Sequence, residues 1–351
     1  MVRSARSIGC PQCVQISLVI FAVFTASGVR VHRKIPQRIV LNYRMIDPRL
    51  HTLRMVREHG TVTAAARALH LTPSTVSQQL RQLANELDVR LLEQIGRRVQ
   101  LTAAAHTLLR HADLLAAQAE RARAELAAHR DGIAGVLRIG SSPTATAVVA
   151  PAAARLRAVH PRLTVELCSD ESGLCLDLLL AGDIDIAVVF PTVDTPPPDD
   201  LRFEQWPLLD DPQDLLVPAG HSFAARTSIA LAETAGEVWI GAPDRVAHQQ
   251  FLLAACAAAG FTPHVGHRAI DWIGISAMIA QGFGVSLVPR LASLPGDLAV
   301  VRVPLHGEPR PFRRHNICVR RGSGDHPLIG IGLAAVWEVC RERPGVVVFD
   351  G

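Results

Sequence analysis

Residues 61–83 read TVTAAARALHLTPSTVSQQLRQL, and this stretch decides how the N-terminal part of the chain folds. Three consecutive alanines after Thr63 favour a short helix against which another helix can pack closely. A short turn follows, and Thr72 and Pro73 are typical of an N-cap and a first helical residue. Beyond them, apolar residues recur at i, i+4 and i+7, the spacing of one helix face. The stretch therefore predicts a helix-turn-helix over residues 62–81.

The outer face of the second helix carries hydrogen-bonding side chains and few charges. A helix that enters the major groove of DNA needs such groups, because base edges are distinguished by hydrogen bonds and methyl contacts. A helical hairpin with a solvated face is the alternative, although an exposed helix of this chain would more often carry Glu and Arg. We expect DNA contacts from Thr63, Thr72, Pro73, Ser74, Thr75, Ser77, Gln78 and Arg81.

Residues 85–92 predict a further helix, and residues 96–102 (GRRVQLT) a short two-stranded wing. Arg97 and Arg98 at its tip are well placed for phosphates or the minor groove, with a solvated loop as the alternative. From Ala103 to about residue 130 neither Gly nor Pro occurs, which predicts a helix about 40 Å long. Its apolar stripe favours pairing with a second copy, and packing within its own chain is the alternative.

Beyond Asp131-Gly132, strands and helices alternate. A strand over 136–140, a small polar turn and a helix over 145–160 place hydroxyls and N–H groups at a helix start. The pattern predicts a doubly wound α/β sheet with ligands at the carboxyl ends of its strands. Further strands are predicted at 163–168, 183–190, 214–217, 238–240, 284–289 and 315–319, and further helices at 173–181, 249–259, 273–281 and 329–340.

Residues 45–102 resemble the winged helix-turn-helix of LysR-type transcriptional regulators. The resemblance rests on the stretch quoted above and on LDVRLLEQIGRRVQLT at 87–102. Asp88 stands where the family usually has Gly, Leu92 where Phe is common and Gln94 where Arg is common. The last change implies one contact fewer to the DNA backbone. The resemblance extends to about residue 340, by pattern more than by motif in its second half.

The resemblance implies an α/β protein overall, with an all-α winged helix-turn-helix at 45–102 and a linker and dimerisation helix at 103–131. A bilobed effector domain of the type 2 periplasmic-binding-protein fold would follow at 132–343, and a tail at 344–351. Subdomain I would comprise 135–207 and 311–343, and subdomain II 208–310. Carried over by position, the effector contacts are Ser141, Ser142, Thr144, Phe190, Pro191, Thr192, Ile240, Gly241, Trp272 and Ile273. Helix capping is the alternative for Ser142, and core or hinge packing for Trp272.

The function that this implies is a regulator that binds double-stranded DNA at a pseudo-palindromic operator as a homodimer or homotetramer. An unidentified small-molecule co-inducer would act in the cleft, and RNA polymerase would be a partner. We expect no cofactor, no metal and no catalytic residue, since the GxSxG, HExxH, Walker A and GxGxxG motifs of enzymes do not occur.

Residues 1–44 differ from the rest of the chain. A basic start, a short apolar run and small residues resemble a signal peptide, yet the run is short for a membrane span. A helical pattern begins at once after Met45, so we expect 1–44 to be upstream sequence from a misassigned start and the protein to be cytoplasmic. A regulator tethered to the membrane through 14–29, and an exported solute-binding protein, are the alternatives.

The charge distribution agrees with a polyanion-binding module joined to a carrier domain. Residues 1–130 hold 19 of the 36 basic residues and 8 of the 32 acidic ones, so the remainder of the chain is acidic. Aromatic residues make up 4%, which argues against stacking platforms for single-stranded nucleic acid. Seven scattered cysteines fit reduced thiols better than a disulfide framework, and Cys10-Pro-Gln-Cys13 lacks a second metal-binding pair.

Overall fold

The computed structural model describes residues 47–95, 98–130, 132–192, 195–243 and 247–349. The hypotheses about residues 1–44, including the signal-like run and the Cys10–Cys13 pair, lie outside these residues. Within the described part of the chain, no helix combines the length and the apolar character that a membrane span requires.

The N-terminal module contains the predicted helix-turn-helix. Thr61 and Thr72 are its N-caps, because their hydroxyls accept hydrogen bonds from Ala64 N and Thr75 N, both at 3.1 Å. Leu80 and Leu83 on the inner face are buried, as the apolar spacing predicts. The elements are α1 (Pro48–His59), α2 (Val62–Ala68), α3 (Pro73–Glu86), β1 (Leu92–Ile95), β2 (Arg98–Leu101) and α4 (Ala103–Ala128).

The prediction of a separate helix over residues 85–92 is wrong. Helix α3 ends at Glu86, and Asp88 takes a left-handed conformation with φ of 52°. Asp tolerates that conformation better than most residues, so it can replace the Gly that is usual here. The turn redirects the chain into β1, which pairs antiparallel with β2 to form the wing.

The linker helix α4 packs partly within its own chain. Its first half buries Ala105 and Leu109 against the helix-turn-helix core. Its second half lies against the effector domain, where Arg320 donates to Glu120 at 3.1 Å. Leu114, Leu115 and Leu126 nevertheless stay 55%, 58% and 68% exposed. The helix therefore contacts both domains and still presents an apolar stripe to the outside.

The C-terminal domain is an α/β sheet covered on both faces. Strands β3, β4 and β5 are parallel to one another. Strand β12 lies between β5 and β6 and pairs antiparallel with both. The domain contains β3 (Gly135–Ser141), α5 (Thr146–Val159), β4 (Leu163–Ser169), α6 (Ser172–Ala181), β5 (Ile186–Val189), β6 (Phe203–Pro218), β7 (Ile229–Ala230), β8 (Val238–Gly241), α7 (Ala247–Ala258), β9 (His264–Arg268), α8 (Trp272–Ala280), β10 (Ser286–Pro289), β11 (Val300–His306), β12 (Phe312–Arg320), α9 (Pro327–Arg341) and β13 (Val347–Val348).

Strand β6 is the element that joins the two lobes. Its first part pairs with β12, and its last residues pair with β10 and β11. The sequence indicated only the end of this strand, at 214–217, because Pro207, Pro212 and two adjacent aspartates precede it. A two-stranded parallel sheet of β8 and β9 completes the second lobe, and a bridge joins its Trp239 to Val285, the residue before β10.

Candidate functional sites

The outer face of α3 presents the predicted side chains to solvent. Ser74, Gln78 and Arg81 are exposed, and Thr75 and Ser77 are half-buried. The neighbouring Gln79 differs from Gln78, because its amide oxygen accepts a hydrogen bond from Thr52 of α1 at 2.7 Å. Thr63, Thr72 and Pro73 are also exposed. One face of the helix thus holds the module together, and the other carries polar groups at the surface.

The hydroxyls at the start of α3 form a cluster around the capping residue. Thr72 Oγ1 lies 2.8 Å from both Ser74 Oγ and Thr75 Oγ1. Arg81 Nε donates to Ser77 O at 3.2 Å, which holds the arginine along the helix. At the wing, Arg97 and the side chain of Arg98 lie outside the described residues.

The four segments expected to line the effector cleft lie at the ends of strands or at a helix start. Ser141 and Ser142 end and follow β3, and Ser142 N donates to Val188 O of β5 at 2.8 Å. Phe190, Pro191 and Thr192 follow β5, Ile240 and Gly241 end β8, and Trp272 and Ile273 begin α8. Ser142 and Thr144 are buried, and within the described chain their hydroxyls have no hydrogen-bond partner. Ile273 is 66% exposed, which puts its side chain at a rim.

Phe190 and Trp272 meet at Arg313, a residue that the sequence did not indicate. The Arg313 Cζ atom lies 5.0 Å from the ring centres of Phe190 and Phe251 and 5.9 Å from that of Trp272. Its Nη2 lies 2.6 Å from His248 Nδ1. Arg313 is 5% exposed, and no described residue accepts a hydrogen bond from its Nε. Aromatic groups from both lobes therefore surround one buried cation.

Further polar groups of β6 and β12 lie beside Arg313. In the strand register Arg313 stands opposite Asp211. The His315 ring packs edge-on against Phe190 at 6.0 Å, and its Nε2 is 4.0 Å from Asp211 Oδ2. His315 is fully buried, and neither ring nitrogen has a hydrogen-bond partner among the described residues. Gln213 Oε1 is likewise buried and has no hydrogen-bond partner among the described residues.

Burial disfavours the charged forms of Asp211, His248 and His315, whereas Arg313 keeps its charge. Burial raises the pKa of Asp211 to about 7, although the Leu291 N–H and the charge of Arg313 favour its ionised form. Burial and the Arg313 charge lower the pKa of both His248 and His315 to about 3. Burial lowers the pKa of Arg313 to about 10, so it stays charged at neutral pH. The cluster thus holds one cation, two neutral imidazoles and a carboxyl that is only partly ionised at neutral pH.

The sequence signal for Arg313 and His315 was their alternation with Phe312 and Arg314. Strands alternate their side chains between two faces, and residues 313 and 315 take the buried face. The strand predicted at 315–319 begins three residues earlier in the structure, at Phe312, and so includes Arg313. Arg314 on the other face pairs with Asp210 at 2.8 Å.

Comparison with known proteins assigns both halves of the chain to one family. Residues 48–106 match the model described as "Bacterial regulatory helix-turn-helix protein, lysR family", and residues 130–344 match the "LysR substrate binding domain". A hydrogen peroxide-inducible genes activator of Pectobacterium carotovorum subsp. carotovorum is 28% identical over 285 residues, or 80% of this chain and 91% of that one. The regulator AlsR of Bacillus subtilis is 28% identical over 231 residues, or 65% of this chain and 75% of that one.

Solved structures share the fold. HinK, a LysR family transcriptional regulator from Pseudomonas aeruginosa, aligns with a TM-score of 0.51 at 22% identity, covering 83% of this chain and 97% of that one. Full-length CbnR in complex with its target DNA aligns with a TM-score of 0.50 at 22% identity, covering 83% and 98%.

Proposed function

The chain belongs to the LysR family of bacterial helix-turn-helix regulators, and on this premise we propose that it controls transcription by binding a pseudo-palindromic operator through α3. The observation that carries the proposal is the division of α3 into a buried inner face and an outer face of exposed hydroxyl, amide and guanidinium groups. Such groups can read base edges in a major groove. Arg97 and Arg98 of the wing would hold the DNA backbone.

Selection of binding sites from random duplex DNA by the full-length protein tests this function. A two-fold symmetric consensus is the expected result, and selection without any sequence preference would rule the function out. The combined substitution Arg97→Ala and Arg98→Ala should weaken binding to all duplexes and reduce the salt dependence of log K by about one to two units. An unchanged salt dependence would remove the wing from the phosphate contacts.

We propose that the protein acts as an oligomer through α4. The exposed Leu114, Leu115 and Leu126 support pairing of this helix with a second copy, since a long helix rarely leaves such a stripe in water. Two α3 helices held at a fixed spacing would then reach successive major grooves. Sedimentation of Leu115→Glu against Gln250→Glu, an exposed polar position of α7, separates this interface from a general effect of charge.

We propose that the signal is a small molecule in the cleft around Arg313, bound by groups that include Ser142, Phe190 and Trp272. Such a ligand would favour one relative orientation of the lobes only if it binds that orientation more tightly. This function places the protein in the cytoplasm and requires RNA polymerase but no catalysis by the chain itself.

Oxidation of the described cysteines is a less suitable signal, although several relatives are named for hydrogen peroxide. Burial raises the pKa of Cys175, Cys256, Cys318 and Cys340 to about 12. Burial and the charge of Asp170 also raise the pKa of Cys168, which is half-buried. Thiols react with oxidants as thiolates, so these groups would react slowly at neutral pH. Operator binding should therefore stay unchanged after peroxide treatment, with mass spectrometry of peptides to report the oxidation state of each thiol.

A further inference from the structure

Arg313 is a buried cation that lacks an ion-paired carboxylate among the described residues. Its guanidinium contacts His248 and three aromatic rings, and its Nε is left without a partner. The acidic groups that act on it are Asp211 and the exposed Glu171, both beyond ion-pair distance. A poorly compensated charge in such surroundings is costly, so the site is suited to an anionic partner from outside the chain.

The surroundings of Arg313 restrict the charge of that partner. A guanidinium binds a carboxylate with two parallel hydrogen bonds, and each such bond to a charged group is stronger than a neutral one. One cation compensates one negative charge, and no second arginine joins Arg313 inside its aromatic enclosure among the described residues. A doubly charged anion would therefore keep one charge uncompensated in a poorly solvated place.

The same surroundings supply an apolar surface. Phe190, Phe251 and Trp272 are each only partly buried, so ring surface remains accessible beside the cation. The unpartnered Gln213 Oε1 and the nitrogens of His315 offer hydrogen bonds to a polar substituent. A ligand with one carboxylate and an apolar body matches each of these features.

We propose that the effector of this regulator is an organic monocarboxylate, with its carboxylate on Arg313 and its apolar body against Phe190, Phe251 and Trp272. The inference rests on the proposed function and names the ligand class of that same cleft. Phe190 belongs to the first lobe, and Phe251 and Trp272 to the second, so one ligand would touch both lobes at once. Binding would thereby favour the orientation in which all three rings enclose it.

The test uses the full-length protein and matched pairs of probes. Benzoate, phenylacetate, hexanoate and 2-naphthoate are each compared with the corresponding primary amide, and with inorganic phosphate, by thermal shift and calorimetry. At least one monocarboxylate should bind, and its amide should bind about 10- to 100-fold more weakly. Equal binding of acid and amide, binding of phosphate alone, or binding of none of the carboxylates would overturn the proposal.

Two substitutions locate the bound carboxylate. Arg313→Gln should weaken binding of that carboxylate by about 10- to 100-fold, whereas Arg314→Gln on the opposite face of β12 should leave it unchanged. The unfolding temperature of each variant without ligand shows that it has folded, and Arg313→Lys, which keeps the charge, should retain part of the affinity. Undiminished binding to Arg313→Gln would place the carboxylate elsewhere. Operator binding is measured on the same samples, so that its presence without carboxylate binding contradicts this inference alone.

Discussion

Arg313 and Arg320 lie on the same strand and are both more than nine-tenths buried, but their surroundings differ. Arg320 donates to Glu120 and Asp185 and to the carbonyl oxygens of Leu179 and Ile184. Arg313 donates to one imidazole and is otherwise enclosed by aromatic rings. A buried charge with a complete set of partners holds elements together, whereas one with an incomplete set is available to a ligand.

The comparison assigns the two arginines to different tasks. Through Arg320, the linker helix α4 is joined to the effector domain, because Glu120 lies on the helix and Asp185 precedes β5. Arg313 contacts aromatic rings of both lobes of the effector domain, Phe190 in the first and Phe251 and Trp272 in the second. On the proposed function, the first arrangement would transmit a movement of the effector domain to the linker, and the second would bind the effector.

The largest expected effect is on stability at Arg320. Arg320→Met removes a cation that two buried carboxylates share, and it should lower the free energy of unfolding by about 3 kcal/mol or more. Arg313→Met removes a poorly compensated buried charge, and it should change that free energy by less than about 1 kcal/mol. Urea denaturation of both variants measures the difference. Equal losses would show that Arg313 also stabilises the fold and would weaken its assignment as a ligand group.

The pH dependence of stability tests the electrostatics around Arg313. The pKa of Asp211 is raised in the folded protein to about 7, so this carboxyl contributes stability that is lost as pH rises from 4 to 7. His248 and His315, with pKa values lowered to about 3, contribute in the opposite direction over the same range. In Asp211→Asn the carboxyl contribution is absent, and only the contribution of the two histidines remains.

The stability of Asp211→Asn should therefore rise more steeply between pH 4 and 7 than that of the unchanged protein, by roughly 1–3 kcal/mol over the range. Thermal unfolding in a series of buffers measures the two slopes, and Asp210→Asn on the other face of β6 is the control. Parallel slopes would mean that Asp211 ionises normally despite its burial, with Leu291, Arg290 and Arg313 fully offsetting the cost of burying its charge.

How far the sequence alone leads also differs between the two regions. The helix-turn-helix is specified by local signals, such as the Thr72 cap and Pro73, and these were sufficient to predict α2, α3 and the exposed face. The surroundings of Arg313 come from β6, β12, α7 and α8, which are distant in the chain. The prolines and aspartates of β6 are untypical of a strand, so the sequence did not indicate most of it. The partners of Arg313 could therefore be identified only from the structure, in which β6, α7 and α8 lie beside β12.

The same contrast between satisfied and available groups occurs on α3. Gln79 is engaged by Thr52, so Gln79→Ala should lower stability by about 1 kcal/mol and leave sequence preference intact. Gln78 is exposed on the outer face, so Gln78→Ala should cost about 1–3 kcal/mol of discrimination between the operator and a mutated site. Fluorescence anisotropy with both duplexes measures this, with the exposed Gln250→Ala of α7 as control. A loss of preference in Gln79→Ala instead would reverse the two assignments.

The smallest expected effect is at a third cluster, where Arg202 joins Glu58 of α1 to the effector domain. Arg202 donates to Asp200 at 2.8 Å and also pairs with Glu58, so its charge is well compensated. Burial raises the pKa of Glu58, and the attraction of Arg202 only partly offsets that cost. Glu58→Gln should therefore change the free energy of unfolding by less than about 1 kcal/mol, with the exposed Glu86→Gln as a reference for a surface pair. A loss of unfolding free energy as large as that of Arg320→Met would contradict this expectation. It would show that Glu58 is a fully compensated buried carboxylate, which is costly to neutralise, and that this contact is a second rigid connection between the DNA-binding module and the effector domain.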